Sequence, residues 1–314
     1  MGCFLFFMMM FWSTVRASKL NEARDKWHSG WWSIKIVLWI LFTIVPFVIP
    51  AAWMELYGQV AQFGAGVFLL IQLVSIISLI NWLNEYFSSE TYVERYKIHV
   101  MIFATASLCL CLVGLILMYI WYGSCLLNIF FITCSLVLVI LMTSVSLHPK
   151  VNGGLISPAL MGLYVVFLCL SAIRSEPKGD QCIRKADTIS ENDWQNIMSL
   201  AIGILAIVYA TFSTSLDSKF SQLRKSERPT EENDVPYGYG FFHFVFAVGA
   251  MYFAMLLVGW NSHYSMKRWS IGVGWISAWV RIVNEWLTVC VYLWIWVAPI
   301  IWKKSLSYCF GSIV

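Results

Sequence analysis

Long, continuously apolar runs alternate with short polar stretches along nearly the whole chain. A helix needs about 20 predominantly apolar residues to cross the hydrocarbon core of a bilayer. Residues 32–53, 63–83, 98–122, 125–147, 155–173, 197–216, 241–260 and 276–302 meet that standard. None of these runs alternates apolar with polar positions, as the strands of a membrane barrel would. Residues 1–15 are apolar but short, and they lack the basic leading region of a signal peptide. We read them as one more span, shortened at its amino-terminal end. The pattern predicts an all-α polytopic transmembrane bundle of about nine spans, with no soluble domain.

One stretch calls for a longer element. The apolar part of 63–96 ends near Leu83, yet the sequence NWLNEYFSSETYVERYK that follows contains no Pro or Gly to stop a helix. At 1.5 Å per residue, a helix of some thirty residues overshoots a ~30 Å core unless it tilts. A tilted helix emerging at the interface is the expectation. Residues 217–240 contain RKSERPTEENDVP and have the charge, Pro content and low apolarity of a flexible loop.

Composition agrees with the pattern. The chain is 60% hydrophobic and 12% charged, about half the charge that a water-facing domain carries. Its mean hydropathy is +0.72, and 17 tryptophans suit the headgroup level of a bilayer. Orientation follows from Lys and Arg in alternate loops. One side holds 14 of the 21 basic residues, among them Lys35, Arg95, Lys150, Arg224 and Lys303; the other holds six; Arg281 lies within a run. The positive-inside bias puts the richer side, and the carboxyl terminus, in the cytosol.

Charges within spans are candidates for function, because placing one in hydrocarbon costs several kcal/mol. WVRIVNEW, residues 279–286, puts Arg281, Asn284 and Glu285 on one helical face, and Arg281 can pair with Glu285 four residues on. Two readings stay open: a polar patch facing a cavity or headgroup path, and a self-neutralised pair near a helix end. Gln72 lies mid-span, where an amide serves as interhelical glue or touches a ligand. Asn81, Asn84 and Glu85 stand at the end of the same run, with Glu85 expected at the solvated interface. His243, within FFHFVF, is a base without a partner motif or a structural hydrogen-bonded ring. No metal-ligand spacing, Walker A, GxSxG, DHHC or CDP-alcohol phosphotransferase pattern is present, and no cofactor is implied. Cys109, Cys111, Cys134, Cys169 and Cys290 lie in apolar runs as packing residues. Cys125 and Cys182 both fall on the outward side and form the candidate disulfide. Pro46 and Pro50 are expected to kink the run at 32–53. The small residues of FGAGVF and MGLY are expected to let helices approach closely.

Several segments together resemble the serine incorporator family, most closely its plant members. WHSGWW, IPAAW, FGAGVFLLIQLV, ISPALMGLY, SAIRSEP, FHFVFAVGAMYFAMLLVGWN, WVRIVNEW and LWIWVAP occur in family order to about Lys304. The resemblance implies ten transmembrane helices in two helical subdomains joined by a long, strongly tilted crossmember, which 63–96 matches. It also implies the absence of the family's first helix from this sequence. Its functional implication is a non-enzymatic protein of endomembranes or the plasma membrane. Such a protein supports incorporation of serine into phosphatidylserine and sphingolipids, or binds phospholipids and moves them across the bilayer. A serine carrier feeding lipid-synthesis enzymes is the alternative, and a lipid-modifying enzyme using His243 a further one. Expected partners are membrane lipids, serine and lipid-synthesis enzymes, not nucleic acid. The family supplies no catalytic residues. Arg281, Asn284, Glu285, Gln72 and His243 stand as a candidate lipid or headgroup path on the residue argument alone.

Overall fold

The computed structural model describes residues 1–15, 23–88, 90–149, 151, 154–176, 208, 238–258 and 274–311. Every regular element among them is helical. In chain order these are α1 (Gly2–Thr14), α2 (Ala23–Ser29), α3 (Trp32–Val48), α4 (Ala51–Ser88), α5 (Glu90–Tyr122), α6 (Leu126–Ser146), α7 (Ile156–Arg174), α8 (Tyr239–Leu257) and α9 (Trp275–Gly311). Six are long and apolar enough to cross a membrane, or seven if α2 and α3, bent by 71° at their junction, make one broken span. The count among described residues is therefore below nine. α1 is too short at 13 residues, and the run expected at 197–216 lies outside the described residues except for Val208.

Two boundaries differ from expectation. The run at 32–53 breaks earlier, because Ile49 takes an extended conformation before Pro50 and ends α3, while Pro46 stays inside it. The next helix then starts at Ala51 and runs unbroken for 38 residues, absorbing the polar stretch expected to separate two spans. MELYGQVAQ contains good helix formers and no Pro, so polarity there marks a change of surroundings without ending the helix. Helix α4 is about 57 Å long at 1.5 Å per residue, nearly twice the hydrocarbon thickness. The long helix expected at 63–96 thus runs from 51 to 88, and α5 begins at Glu90.

The chain divides into two compact units, one holding residues 1–75 and 192–272, the other 76–191 and 273–314. Among the described elements only α4 contributes to both. In the first unit α1 packs on α8, α3 and α2. Phe7 meets Phe246 and Phe11 meets Phe244 across the α1–α8 contact, and Phe68 of α4 is buried with Val245 and Val248 of α8. A Cβ on Gly64 would overlap the Met251 sulfur, so this small residue sets the α4–α8 approach; Gly66, its neighbour in FGAGVF, faces open space.

In the second unit α7 lies centrally against α5, α6 and α9. Eleven of its 19 residues are buried, which suits a helix covered on most sides. Leu115, Met118, Phe131, Ile132, Cys169 and Ile282 form the core there. Gly162 of MGLY lets α5 close in, since a Cβ would sit 3.2 Å from Cys111 Sγ. Outward faces stay apolar: Ile34, Val37, Leu41, Phe47, Leu110, Ile120 and Ile140 are exposed. Such faces are unsustainable in water and natural in lipid.

Candidate functional site

The polar residues of α9 sit in the interior of the second unit. Glu285 is fully buried (0% exposed) and Asn284 is buried beside it, while Arg281 is half-buried one turn earlier. Ser135 of α6, also fully buried, places its hydroxyl 2.6 Å from Glu285 Oε1 and 3.0 Å from Phe131 O of its own helix, and its single proton is donated to the nearer carboxyl oxygen. Among the described residues this is the hydrogen bond that engages Glu285, and its Oε2 has no hydrogen-bond partner. The carboxyl group is therefore bonded across the bundle to α6, not along its own helix to Arg281. Thr288 Oγ1 returns to Asn284 O at 2.7 Å, which satisfies its hydroxyl within the helix.

Further polar groups share this interior. Asn128, two turns before Ser135 on the same buried stripe of α6, is fully buried, and neither amide atom has a hydrogen-bond partner among the described residues. Ser277 Oγ near the start of α9 is likewise buried without one. Towards the other end, Tyr292 of α9 donates to Ser157 of α7 at 3.1 Å. A seam of hydroxyl, amide and carboxyl groups thus runs through an otherwise apolar bundle. Buried polar groups left unsatisfied are costly and mark places where a ligand or water has something to bind.

The other two candidates lie in the first unit. Gln72 is half-buried on α4. His243 of α8 is 5% exposed, and its Nε2 lies 3.0 Å from Nδ1 of His28 on α2. His28 also stacks on Tyr239, with ring centroids 3.9 Å apart, and Tyr239 donates to Asp25 Oδ1 at 2.7 Å. His243 is thus not isolated, as its sequence context suggested, but belongs to a cluster that anchors α2 to α8. Arg281, Asn284 and Glu285 lie together in one unit, and Gln72 and His243 belong to the other. Glu85 is exposed. Cys125 is disulfide-bonded; Cys182, its expected partner, lies outside the described residues. Cys111 and Cys169 are buried and free.

The family model described as "Serine incorporator (Serinc)" matches residues 1–234 and 221–305. The chain belongs to the serine incorporator family. A probable serine incorporator of Dictyostelium discoideum is 28% identical over 285 residues, covering 82% of this chain and 68% of that protein. One of Nematostella vectensis is 24% identical over 355 residues, covering 95% and 77%. Serine incorporator 3 of Mus musculus is 24% identical over 362 residues, covering 95% and 75%. Membership accounts for the helical membrane architecture and leaves the polar seam to be explained by this serine incorporator's own residues.

Three functional candidates escaped the sequence reading. Ser135 and Asn128 look ordinary in a run where small polar residues are common, and their importance comes from what α9 brings to them. Their seven-residue spacing, which puts both on one face of α6, was the available signal. Lys35 is the third. Its position in the first turn of an apolar run marked it only as a topogenic charge, yet it is the buried residue of α3.

Proposed function

We propose that this serine incorporator is a non-catalytic protein of lipid homeostasis that binds phospholipids and lets their headgroups cross the bilayer. The observation that carries the reading is Glu285, a carboxyl group with no exposure, hydrogen-bonded to Ser135 and flanked by Asn284 inside an apolar bundle. Such a group is expensive in hydrocarbon and persists where it serves a polar passenger. The unpartnered Asn128 and Glu285 Oε2 supply acceptors and donors that a headgroup or its accompanying water would use. Arg281, half-buried one turn from Glu285, adds a cation suited to phosphate.

The chemistry of His243 supports a role outside catalysis. Its Nε2 is taken up by His28 and its ring packs against Phe7 and Phe242, which leaves little room for a lipid-modifying base. The disulfide at Cys125 supports an outward-facing turn between α5 and α6, since disulfides persist on the oxidising side of a membrane. That placement agrees with the charge bias that puts the carboxyl terminus in the cytosol, in endomembranes or the plasma membrane.

Reconstitution of the full chain into liposomes carrying a fluorescent phospholipid tests the reading. Accelerated exchange between leaflets is expected, and Glu285→Leu is expected to slow it. Exchange no faster than in empty liposomes would remove the transport half. The second reading is a carrier of serine for synthesis of phosphatidylserine and sphingolipids, favoured by a seam that offers both carboxyl and amide groups. Saturable binding of labelled serine without lipid exchange would replace the first reading with this one.

A further inference from the structure

Helices α6 and α9 run side by side in the same direction. Phe131 meets Trp279 with ring centroids 5.3 Å apart, and farther along both helices Ser135 meets Glu285. Helix α7 runs the opposite way, since Ser175 O accepts from Gly274 N at the start of α9 while Ser157 lies against Tyr292 far along it. This register fixes heights within the second unit. Asn128 stands about 10 Å before Ser135, and Ser277 about 12 Å before Glu285. Both lie in the first turn of their helices. Tyr292 stands about 10 Å beyond Glu285 in the other direction.

Hydrogen bonding divides at Glu285. Toward the start of α6 and α9, Asn128, Ser277 and Glu285 are all without exposure. Both amide atoms of Asn128, the Ser277 hydroxyl and Glu285 Oε2 have no hydrogen-bond partner among the described residues. Asn128 and Ser277 lean toward the first turn, because Cα–Cβ bonds in a helix tilt to its amino-terminal end. The amides there are open as well, for Cys125, the N-cap of α6, makes no side-chain cap. Toward the far end the fully buried hydroxyls are bonded: Thr288 to Asn284 O at 2.7 Å, Tyr292 to Ser157 at 3.1 Å and Ser146 to Gly154 O at 2.9 Å. The next unpartnered donor, Trp296 Nε1, is half-buried one turn beyond Tyr292. A buried amide is costly unless something bonds it, and internal water does so with about three hydrogen bonds per molecule. In a bundle walled by lipid, such water enters from an end. The near end is the first turn of α6 and α9.

We propose that the second unit binds water along a path with one open end, entered where α6 and α9 begin, held by Asn128 and Ser277, ending on Glu285 Oε2 and shut beyond it by the Tyr292–Ser157 contact. A polar passenger that reaches Glu285 from this end must part Tyr292 from Ser157 to go on, so that contact is a gate. For its passenger the gate rests on the Glu285 reading; the water does not. The test is hydroxyl-radical footprinting by X-ray radiolysis of the full chain in lipid nanodiscs, read by mass spectrometry. Buried sulfur side chains are oxidised there only where water lies beside them, and two of them report. Cys169 is fully buried, bonded to Ser135 and within electrostatic reach of Glu285. Met142 is fully buried on the Ser135 face of α6, at the height of Tyr292. Cys169 is expected to oxidise several-fold faster than Met142, and Tyr292→Phe to bring Met142 up to the rate of Cys169. Cys169 oxidised no faster than Met142 in the wild type overturns the path. A folded Tyr292→Phe chain with Met142 still protected overturns the gate, and Ser157→Ala, which removes the same bond from α7, decides should Tyr292→Phe not fold. Asn128→Leu is expected to lower the thermal midpoint by displacing bound water; a higher midpoint would mean a dry amide and refute the path. Water at Cys169 without lipid exchange removes the lipid reading alone, and lipid exchange with Cys169 protected removes the path alone.

Discussion

Ser135 and Glu285, 150 residues apart in sequence, meet at 2.6 Å inside the second unit, where neither has any solvent exposure. The bond joins α6 to α9 and is the polar fastening of an interface otherwise made of Phe131, Ile132 and Ile282. Interhelical hydrogen bonds in membranes contribute ~0.6 kcal/mol on average and up to ~1.7. A buried acceptor left without its donor costs more, roughly 1–3 kcal/mol. Ser135→Ala is therefore expected to lower the thermal midpoint in detergent. Glu285→Leu in the Ser135→Ala background is expected to cost less than the two single changes together. A double-mutant cycle on thermal unfolding measures this, and strict additivity would show that the contact carries no coupling.

The His28–His243 contact gives a prediction of the same form with a different readout. Removing His28 leaves both ring nitrogens of His243 buried without a partner, since Nδ1 already lacks one among the described residues. His28→Ala is expected to destabilise by about 1–3 kcal/mol, and His28→Ala with His243→Phe to recover part of it. His243→Ala is expected to leave the phospholipid and sphingolipid composition of expressing cells unchanged wherever protein levels are matched. An altered composition at matched levels would return catalysis to consideration.

What the sequence made legible depended on how far apart the interacting residues lie along the chain. The helices and the α9 cluster were readable because both are local: twenty apolar residues make a span, and Arg281, Asn284 and Glu285 fall on one face by helical spacing alone. Partners contributed by another helix were not readable. Ser135 and His28 gain meaning only from Glu285 and His243, 150 and 215 positions away. Helix ends are not legible from polarity alone. Residues 54–62 carry Glu55, Gln59 and Gln62 yet are helical, and the true punctuation is Pro50, whose ring pushes Ile49 into an extended conformation.

Packing at Gly64 is testable by compensation. A side chain there would overlap the sulfur of Met251 across the α4–α8 contact, and overpacking of this kind costs about 1–3 kcal/mol. Gly64→Val is expected to lower thermal stability, and Met251→Ala to restore part of it by opening the needed space. Gly66→Val, whose Cβ would meet nothing within 4 Å, is expected to be nearly neutral. The contrast between two glycines in one FGAGVF segment separates a packing requirement from a general intolerance of β-branching in α4. Equal losses from both would point to the latter.

The disulfide at Cys125 tests connectivity and orientation together. Cys125 stands in the short turn between α5 and α6, is the N-cap of α6 and is disulfide-bonded. Closing a loop of tens of residues stabilises by about 2–4 kcal/mol. Cys125→Ser is expected to lower thermal stability by about that amount under oxidising conditions and to have no further effect once the wild type is reduced. Cys182→Ser is the matching variant: if Cys182 is the partner, it reproduces the loss, and the double variant adds nothing to either. Peptide mapping without reductant reads the bridge directly. Orientation follows from the same residue. After reduction in intact cells, a membrane-impermeant maleimide is expected to label Cys125 at the surface, or within the lumen of sealed vesicles only after permeabilisation. Labelling of Cys125 from the cytosolic side would invert the topology inferred from the basic residues.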